Sequence, residues 1–160
     1  MTNTTLNPAD RETTIKLPRF GTLTYRESEV LTFPSGLPGF ASHRRFVAIQ
    51  FTSQEHLIWL QSLDDVSVAL PTADPWAIFE EYSPQLPPYA SALLEIQSPE
   101  EFAALCVVVA GNVADMTINL LAPIVINLRT RRAHQVALET GGYSVRTTIP
   151  PKRAWTQAGA

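Results

Sequence analysis

TINLLAPIVINLRTRRAHQVAL, running from Thr117 to Leu138, is the stretch whose reading decides the fold class. It reads as a strand, a turn carrying Arg129, Arg131 and Arg132, and a returning strand, with an amide or hydroxyl at intervals among aliphatic residues. Pro123 has no backbone N–H, so its segment is expected to be an edge strand or a bulge. Asn119 and Asn127 stand among apolar neighbours, where a buried amide needs hydrogen-bond partners. Neither a nucleophile nor a metal-ligating cluster accompanies them, and the segment is built to shape a surface.

Outward from that hairpin, most segments have strand character. Gly21 to Tyr25 alternates around Leu23 and Tyr25, and Val30 to Phe33 follows a charged turn. FPSGLPGF, Phe33 to Phe40, places two prolines and two glycines between aromatic ends, which predicts a tight ordered loop pinned by Phe33 and Phe40, with Pro38 and Gly39 setting its turn. Phe46 to Phe51, Leu57 to Leu63 and Val66 to Pro71 read as strands, the last two joined by an Asp64-Asp65 turn. Ala73 to Tyr82 suits a helical turn or an irregular strand, and Tyr89 to Ile96 a short helix. Ser98, Pro99 and Glu101 have the spacing of a capped helix start. Leu105 to Ala110 is valine-rich strand, and Tyr143 to Ile149 closes the series after Gly141-Gly142. About eight short strands with turn signals between them, and one or two short helices, predict a mainly β fold: a compact, partly open antiparallel β-barrel.

The chain of 160 residues is 45% hydrophobic, enough for one domain with a genuine core. Its organisation is expected to be a flexible N-terminal extension over 1–17, a single domain over 18–149 and a flexible tail over 150–160 containing Trp155. A net charge of −3 argues against a nucleic-acid binder that gains affinity by neutralising phosphates. One cysteine, Cys106, excludes an intramolecular disulfide and lies in the apolar run LCVVVA, as a buried small hydrophobe would. The opening residues lack the apolar core of a signal peptide, and no run approaches the length of a membrane span, so a cytoplasmic location is expected.

Catalytic chemistry is hard to find. His43, His56 and His134 stand in different segments without ligand-spaced companions, and a zinc or iron site needs three or four convergent ligands. The doublets Asp64-Asp65 and Glu80-Glu81 are adjacent residues that a strand would point to opposite faces, so neither makes a natural acid/base dyad. Asp64-Asp65 is most simply turn chemistry, with partner contact as the alternative reading. The arginine turn reads as a solvated hairpin tip. Trp59, Trp76 and Phe79 suit core packing or interface anchoring.

Taken in order, FGTLTY at Phe20–Tyr25, FPSGLPGF at Phe33–Phe40, WLQSLDD at Trp59–Asp65, ADPW at Ala73–Trp76 and NLLAPIVINLRTRRAHQVAL at Asn119–Leu138 resemble the flagellar assembly factor FliW family. Val66 departs from a proline common in that pattern, and Ala133 from a glycine. The resemblance implies a protein that is not an enzyme and needs no cofactor. It implies binding to the RNA-binding translational repressor CsrA, relief of repression of flagellin mRNA, and sequestration by flagellin, without direct contact to nucleic acid or membrane. In this family the relief is described as allosteric, which requires a coupling free energy of about 1–3 kcal/mol between two sites. Asp64, Asp65, Glu80 and Glu81 are the residues expected to meet a basic partner, and reversing Asp64 and Asp65 to lysine is expected to slow association with little change in melting temperature. Pro38, Gly39, Asn119, Pro123 and Asn127 are expected to be structural. The rival reading is a small-molecule-binding or hydrolytic β-barrel, which would need a deep polar pocket.

Overall fold

The structure is a computed structural model that describes residues 7–51, 56–109 and 116–150. Residues 1–6 and 151–160, and with them Trp155, lie outside the described residues. Strands β1 (Glu12–Leu17) and β2 (Gly21–Arg26) form an antiparallel hairpin with Ile15 opposite Leu23 and Thr13 opposite Tyr25. Residues 12–17, assigned from sequence to a flexible extension, are therefore an ordered strand. The short apolar series Ile15 and Leu17 is too sparse to announce itself. It suffices because β2 completes the backbone hydrogen bonds and the hairpin lays Ile15, Leu23 and Tyr25 on Val30, Val47, Ile49 and Leu63.

The main sheet contains β3 (Leu31–Thr32), β4 (Arg45–Gln50), β5 (Ile58–Ser62), β6 (Ala69–Ala73), β7 (Phe102–Val109), β8 (Thr117–Ile118), β9 (Ile124–Asn127), β10 (Ala133–Gln135) and β11 (Thr147–Thr148). Its order is β10-β9-β7-β6-β5-β4-β3, antiparallel throughout, with β8 also on β7 and β11 on β8. The two ends of this series meet at one point. Thr32 bridges to Arg132, and its N–H donates to the Arg131 carbonyl at 2.9 Å. A single bridge does not close the sheet, which is a partly open barrel as the strand pattern implied.

β7 is the organising strand, long enough to serve three neighbours. Its first half pairs with β9 and its end with β8, and these two are halves of one interrupted strand. Five residues, Asn119 to Pro123, separate Ile118 from Ile124, whereas Cys106 and Val107 alone separate their partners Val108 and Leu105. The excess is a bulge, and Pro123 sits at its exit. The edge-strand alternative fails, because β9 is flanked by β7 and β10. Pro123 is tolerated because it precedes the ladder and contributes only its carbonyl, which accepts from Val136 N–H at 2.9 Å. Asn119 holds the bulge from within, its Oδ1 accepting the Ala122 N–H at 3.0 Å, while Gln135 Nε2 donates to the Ala122 carbonyl at 3.0 Å.

Two short helices complete the body. α1 (Pro75–Ile78) starts at Asp74, whose Oδ1 accepts the Trp76 N–H at 3.0 Å, with proline at the first helical position. α2 (Pro88–Leu94) ends at Glu95 in the left-handed region, φ 55°. Ser98 and Glu101 form the expected capping box, but around a single 3-10 turn, Pro99–Glu101, before β7 takes over. Two of the sequence-predicted strands are shorter than their patterns suggested. β6 begins only at Ala69, because Val66 to Val68 belong to the turn: the Val68 N–H donates to the Asp65 carbonyl at 3.0 Å and the Val66 carbonyl accepts from Gln61 Nε2 at 3.0 Å. β11 is confined to two residues, because the Ser144 carbonyl receives the N–H groups of Leu120 and Leu121.

The core divides along the sheet. Phe33 and Phe46, fully buried and edge-to-face at 5.1 Å, pack with Leu60, Leu105, Ile124 and Ile126. Each such side chain contributes roughly 1.5–3 kcal/mol by leaving water. Beyond β7, Ile78, Tyr82 and Leu94 from the helical segment cover Cys106, Ile118, Val125 and Val136. In the Phe33–Phe40 loop Phe33 is the inner anchor as expected, but the second anchor is Leu37, 3% exposed, rather than the half-buried Phe40. Gly36, at φ +68°, lies so close to Ala41 that a Cβ would sit 2.4 Å from its carbonyl oxygen. Pro38 and Gly39 form the exposed tip.

Candidate partner-binding surface

Asp64 and Asp65 cap the β5–β6 connection and are exposed. Asp64 Oδ2 accepts the N–H groups of Arg44 and Arg45, at 2.7 and 2.9 Å, tying this turn to the start of β4. Asp65 Oδ1 accepts from the Ser67 N–H at 3.0 Å and its hydroxyl at 2.6 Å, and Ser62 Oγ receives the N–H of both aspartates. Partial burial raises the Asp64 carboxyl, but the two backbone donors and the nearby His43 and Arg45 outweigh it, leaving its pKa below the ordinary 3.8. The Ser67 hydroxyl and N–H lower that of Asp65. Turn chemistry thus accounts for the inward side of both carboxylates. Replacing Asp64 by lysine would also free two backbone donors, at a cost of about 1 kcal/mol, so a measurable fall in melting temperature is expected beside the slower association.

Glu80 and Glu81 follow α1 and are exposed, with no hydrogen bond or ion pair among the described residues. The two doublets lie beyond opposite ends of β6, whose five residues span about 13 Å. They do not form one acidic cluster. Of the aromatic candidates, Trp59 is half-buried with Phe20 at 5.3 Å on it and the Arg19 guanidinium 5.2 Å from its ring centre. Trp76 donates Nε1–H to the Tyr82 carbonyl at 2.7 Å. Both serve packing first.

The structure also locates the amides. Asn127, 2% exposed, donates Nδ2–H to the carbonyl of Leu94 at 2.7 Å, while its Oδ1 accepts the N–H groups of Arg129 and Thr130 at 2.8 and 3.1 Å. One side chain therefore joins the end of α2 to the arginine turn. Next to that joint lie residues that sequence reasoning passed over: Tyr89, Leu93 and Leu128 are 51%, 38% and 48% exposed. The available signal was the i, i+4 spacing of Tyr89 and Leu93 within the predicted helix.

The three histidines occupy different parts of the fold. His43 Nδ1 sits 3.1 Å from Ser62 Oγ, whereas His134 lies on β10 with its ring 6.2 Å from Tyr89. Among the described residues no group of three or more His, Cys, Asp or Glu side chains could hold a metal ion. Burial pushes the Cys106 thiol up to about 12, a value at which no thiolate is available for nucleophilic work at neutral pH. A cleft of about 220 Å³ between the Phe33–Phe40 loop and the sheet is lined by Leu37, Phe40, Leu70, Val107, Asn119 and Gln135, without an ionisable group among these.

The chain is similar to the family described as FliW protein over residues 14–149. A flagellar assembly factor FliW from Thermosipho africanus is 35% identical over 130 residues, covering 80% of this chain and 90% of that protein. One from Pseudothermotoga lettingae is 38% identical over 133 residues, covering 82% and 85%. A solved crystal structure of the flagellar assembly factor FliW superposes with a TM-score of 0.79 at 27% identity, over 88% of this chain and 99% of that one. The bulged strand, the loop tip and the acidic turn all fall inside the matched residues, and the chain belongs to the FliW family.

Proposed function

We propose that this protein acts in flagellar assembly as a regulator without catalytic activity, binding a CsrA-type translational repressor and thereby relieving repression of flagellin mRNA. Flagellin is its second partner: rising flagellin takes up the factor and returns the repressor to its message. Family membership across the whole folded body carries this reading. The surface chemistry supports it, since Asp64 and Asp65 sit on a turn braced by six hydrogen bonds, and Glu80 and Glu81 are exposed. Fixed negative charge of this kind attracts a basic RNA-binding protein, chiefly raising association rate and selectivity. With partners of this class the site of action is the cytoplasm, with no direct role for nucleic acid or membrane. Among the described residues no helix is long and apolar enough to cross a bilayer.

The test is binding of the purified protein to recombinant CsrA and flagellin from the same organism, with the paired variant E80K/E81K beside the parent. Among the described residues these two glutamates make no hydrogen bond or ion pair, so the variant separates recognition from stability. Slower association with CsrA at low salt, with the difference shrinking as salt rises, is the expected result. Failure of the parent to bind either protein would remove the proposal. Equal rates for parent and variant would remove Glu80 and Glu81 from the interface.

A further inference from the structure

We propose that α2 and the arginine turn form a second interaction surface, built to receive an acidic amphipathic helix of a protein partner. Tyr89 and Leu93 are one helical turn apart on the outer face of α2, and Leu128 directly follows Asn127, whose amide contacts the carbonyl at the end of that helix. Three large apolar side chains thus stand exposed around one joint. Exposed apolar groups gathered in this way mark interaction sites more often than scattered ones do.

The rim decides the partner. Arg129, Arg131 and Arg132 are exposed and have no ion pair among the described residues; exposed Glu95 and Glu101 border the joint on the helix side, so the positive charge is confined to the turn. Carboxylates are the groups that three unpaired guanidinium groups recognise best, in bidentate pairs. Aromatic and arginine side chains are also those in which binding energy concentrates. An apolar ridge with i, i+4 spacing packs against another helix, whose apolar stripe meets Tyr89, Leu93 and Leu128 while flanking Asp or Glu side chains meet the arginines.

The surface is also rigid before anything binds. Asn127 Oδ1 holds the Arg129 and Thr130 N–H groups, the Arg131 N–H donates to the Asn127 carbonyl at 2.9 Å, and the Arg131 carbonyl receives Thr32 N–H. Arg131 itself is in the left-handed region at φ 62°, a conformation that costs a non-glycine residue energy and is retained here by those bonds. A preordered platform spares a partner the cost of arranging it. This surface is distinct from the acidic turn at Asp64-Asp65, and the inference does not depend on which protein supplies the helix.

The probe is a synthetic helical peptide with leucines at i, i+3, i+4 and i+7 and glutamates on both flanks, titrated into the isotopically labelled full chain and followed by backbone amide chemical shifts. Its counterpart carries lysines in place of the glutamates. Shifts centred on Tyr89, Leu93, Leu128 and the arginine turn with the acidic peptide, absent with the basic one, are expected. The variant R129E/R132E should weaken that binding roughly tenfold, as two reversed surface charge pairs would, while R129K/R132K, which keeps the charge and loses the bidentate fork, should fall between that variant and the parent. No shifts at millimolar acidic peptide, shifts located elsewhere, or equal binding of both peptides would overturn the proposal. So would a homodimer in light scattering that L93E converts to monomer, since a second copy would then cover this face.

Discussion

Asn127 is the residue on which α2 and the β9–β10 turn jointly depend, and its replacement by alanine has a cost that can be worked out. The substitution deprives the buried Leu94 carbonyl of its donor, a loss of about 1–3 kcal/mol for an unsatisfied buried group. It also frees the N–H groups of Arg129, which is exposed, and Thr130, which is half-buried; water replaces part of what they lose, leaving about 0.5 kcal/mol each. The total is about 3 kcal/mol. For a domain of this size that lowers the melting temperature by roughly 6–12 °C. Asn119→Ala provides the internal standard, since among the described residues its side chain bonds a single N–H, that of Ala122, and the site is half-buried; about 1 kcal/mol is expected. Urea unfolding with a shared slope measures both variants. A cost below about 0.5 kcal/mol for Asn127→Ala, or a larger cost for Asn119→Ala, would refute the assignment of Asn127 as the joint between helix and turn.

Further outcomes follow from other sites. Gly36→Ala forces a Cβ against the Ala41 carbonyl in a left-handed conformation and should cost about 3 kcal/mol, whereas Gly39→Ala, with open space around it, should cost only the conformational penalty of about 1 kcal/mol; thermal melts of the pair check the order. Burial lowers the pKa of His134 below the ordinary 6.5, so the unfolded chain takes up a proton first as the medium is acidified. Its contribution to stability is complete above 6.5 and is lost as pH falls through the folded value; His134→Gln should flatten the change in melting temperature between about pH 7.5 and 5.5. Asp64 behaves likewise in the acid range. Its lowered pKa means that stability present above 3.8 is lost as pH falls below it, and Asp64→Asn, which keeps an acceptor for Arg44 and Arg45, should reduce that acid-induced loss in an equilibrium titration.

The β class was legible because alternation survives in Gly21–Tyr25 and Phe46–Phe51 and β-branched valine dominates the run before Ala110, each of which became a strand. The bulge was legible through Pro123, although only pairing shows that three extra residues oppose β7. The strand at Glu12–Leu17 was hidden because its inward series is short and its partner strand supplies the rest of the reason to fold. Tyr143 to Ile149 carried a good strand pattern that tertiary contact overrode: the Ser144 carbonyl closes the bulge instead of extending a ladder. At the surface, the roles of Asp64 and Asp65 in the turn were readable from residue type, but their bonds to Arg44 and Arg45, distant in sequence, were not. Tyr89, Leu93 and Leu128 escaped notice because exposure depends on what fails to cover a side chain, which local periodicity does not encode.

The central claim is that this molecule is a binding protein whose two partners compete for it. Its most direct test is titration of purified flagellin into a preformed complex of this protein with fluorescently labelled CsrA, at low salt, following anisotropy. Progressive release of CsrA to its free value is the expected result. A complex that never forms, or that retains CsrA at saturating flagellin, would contradict the account.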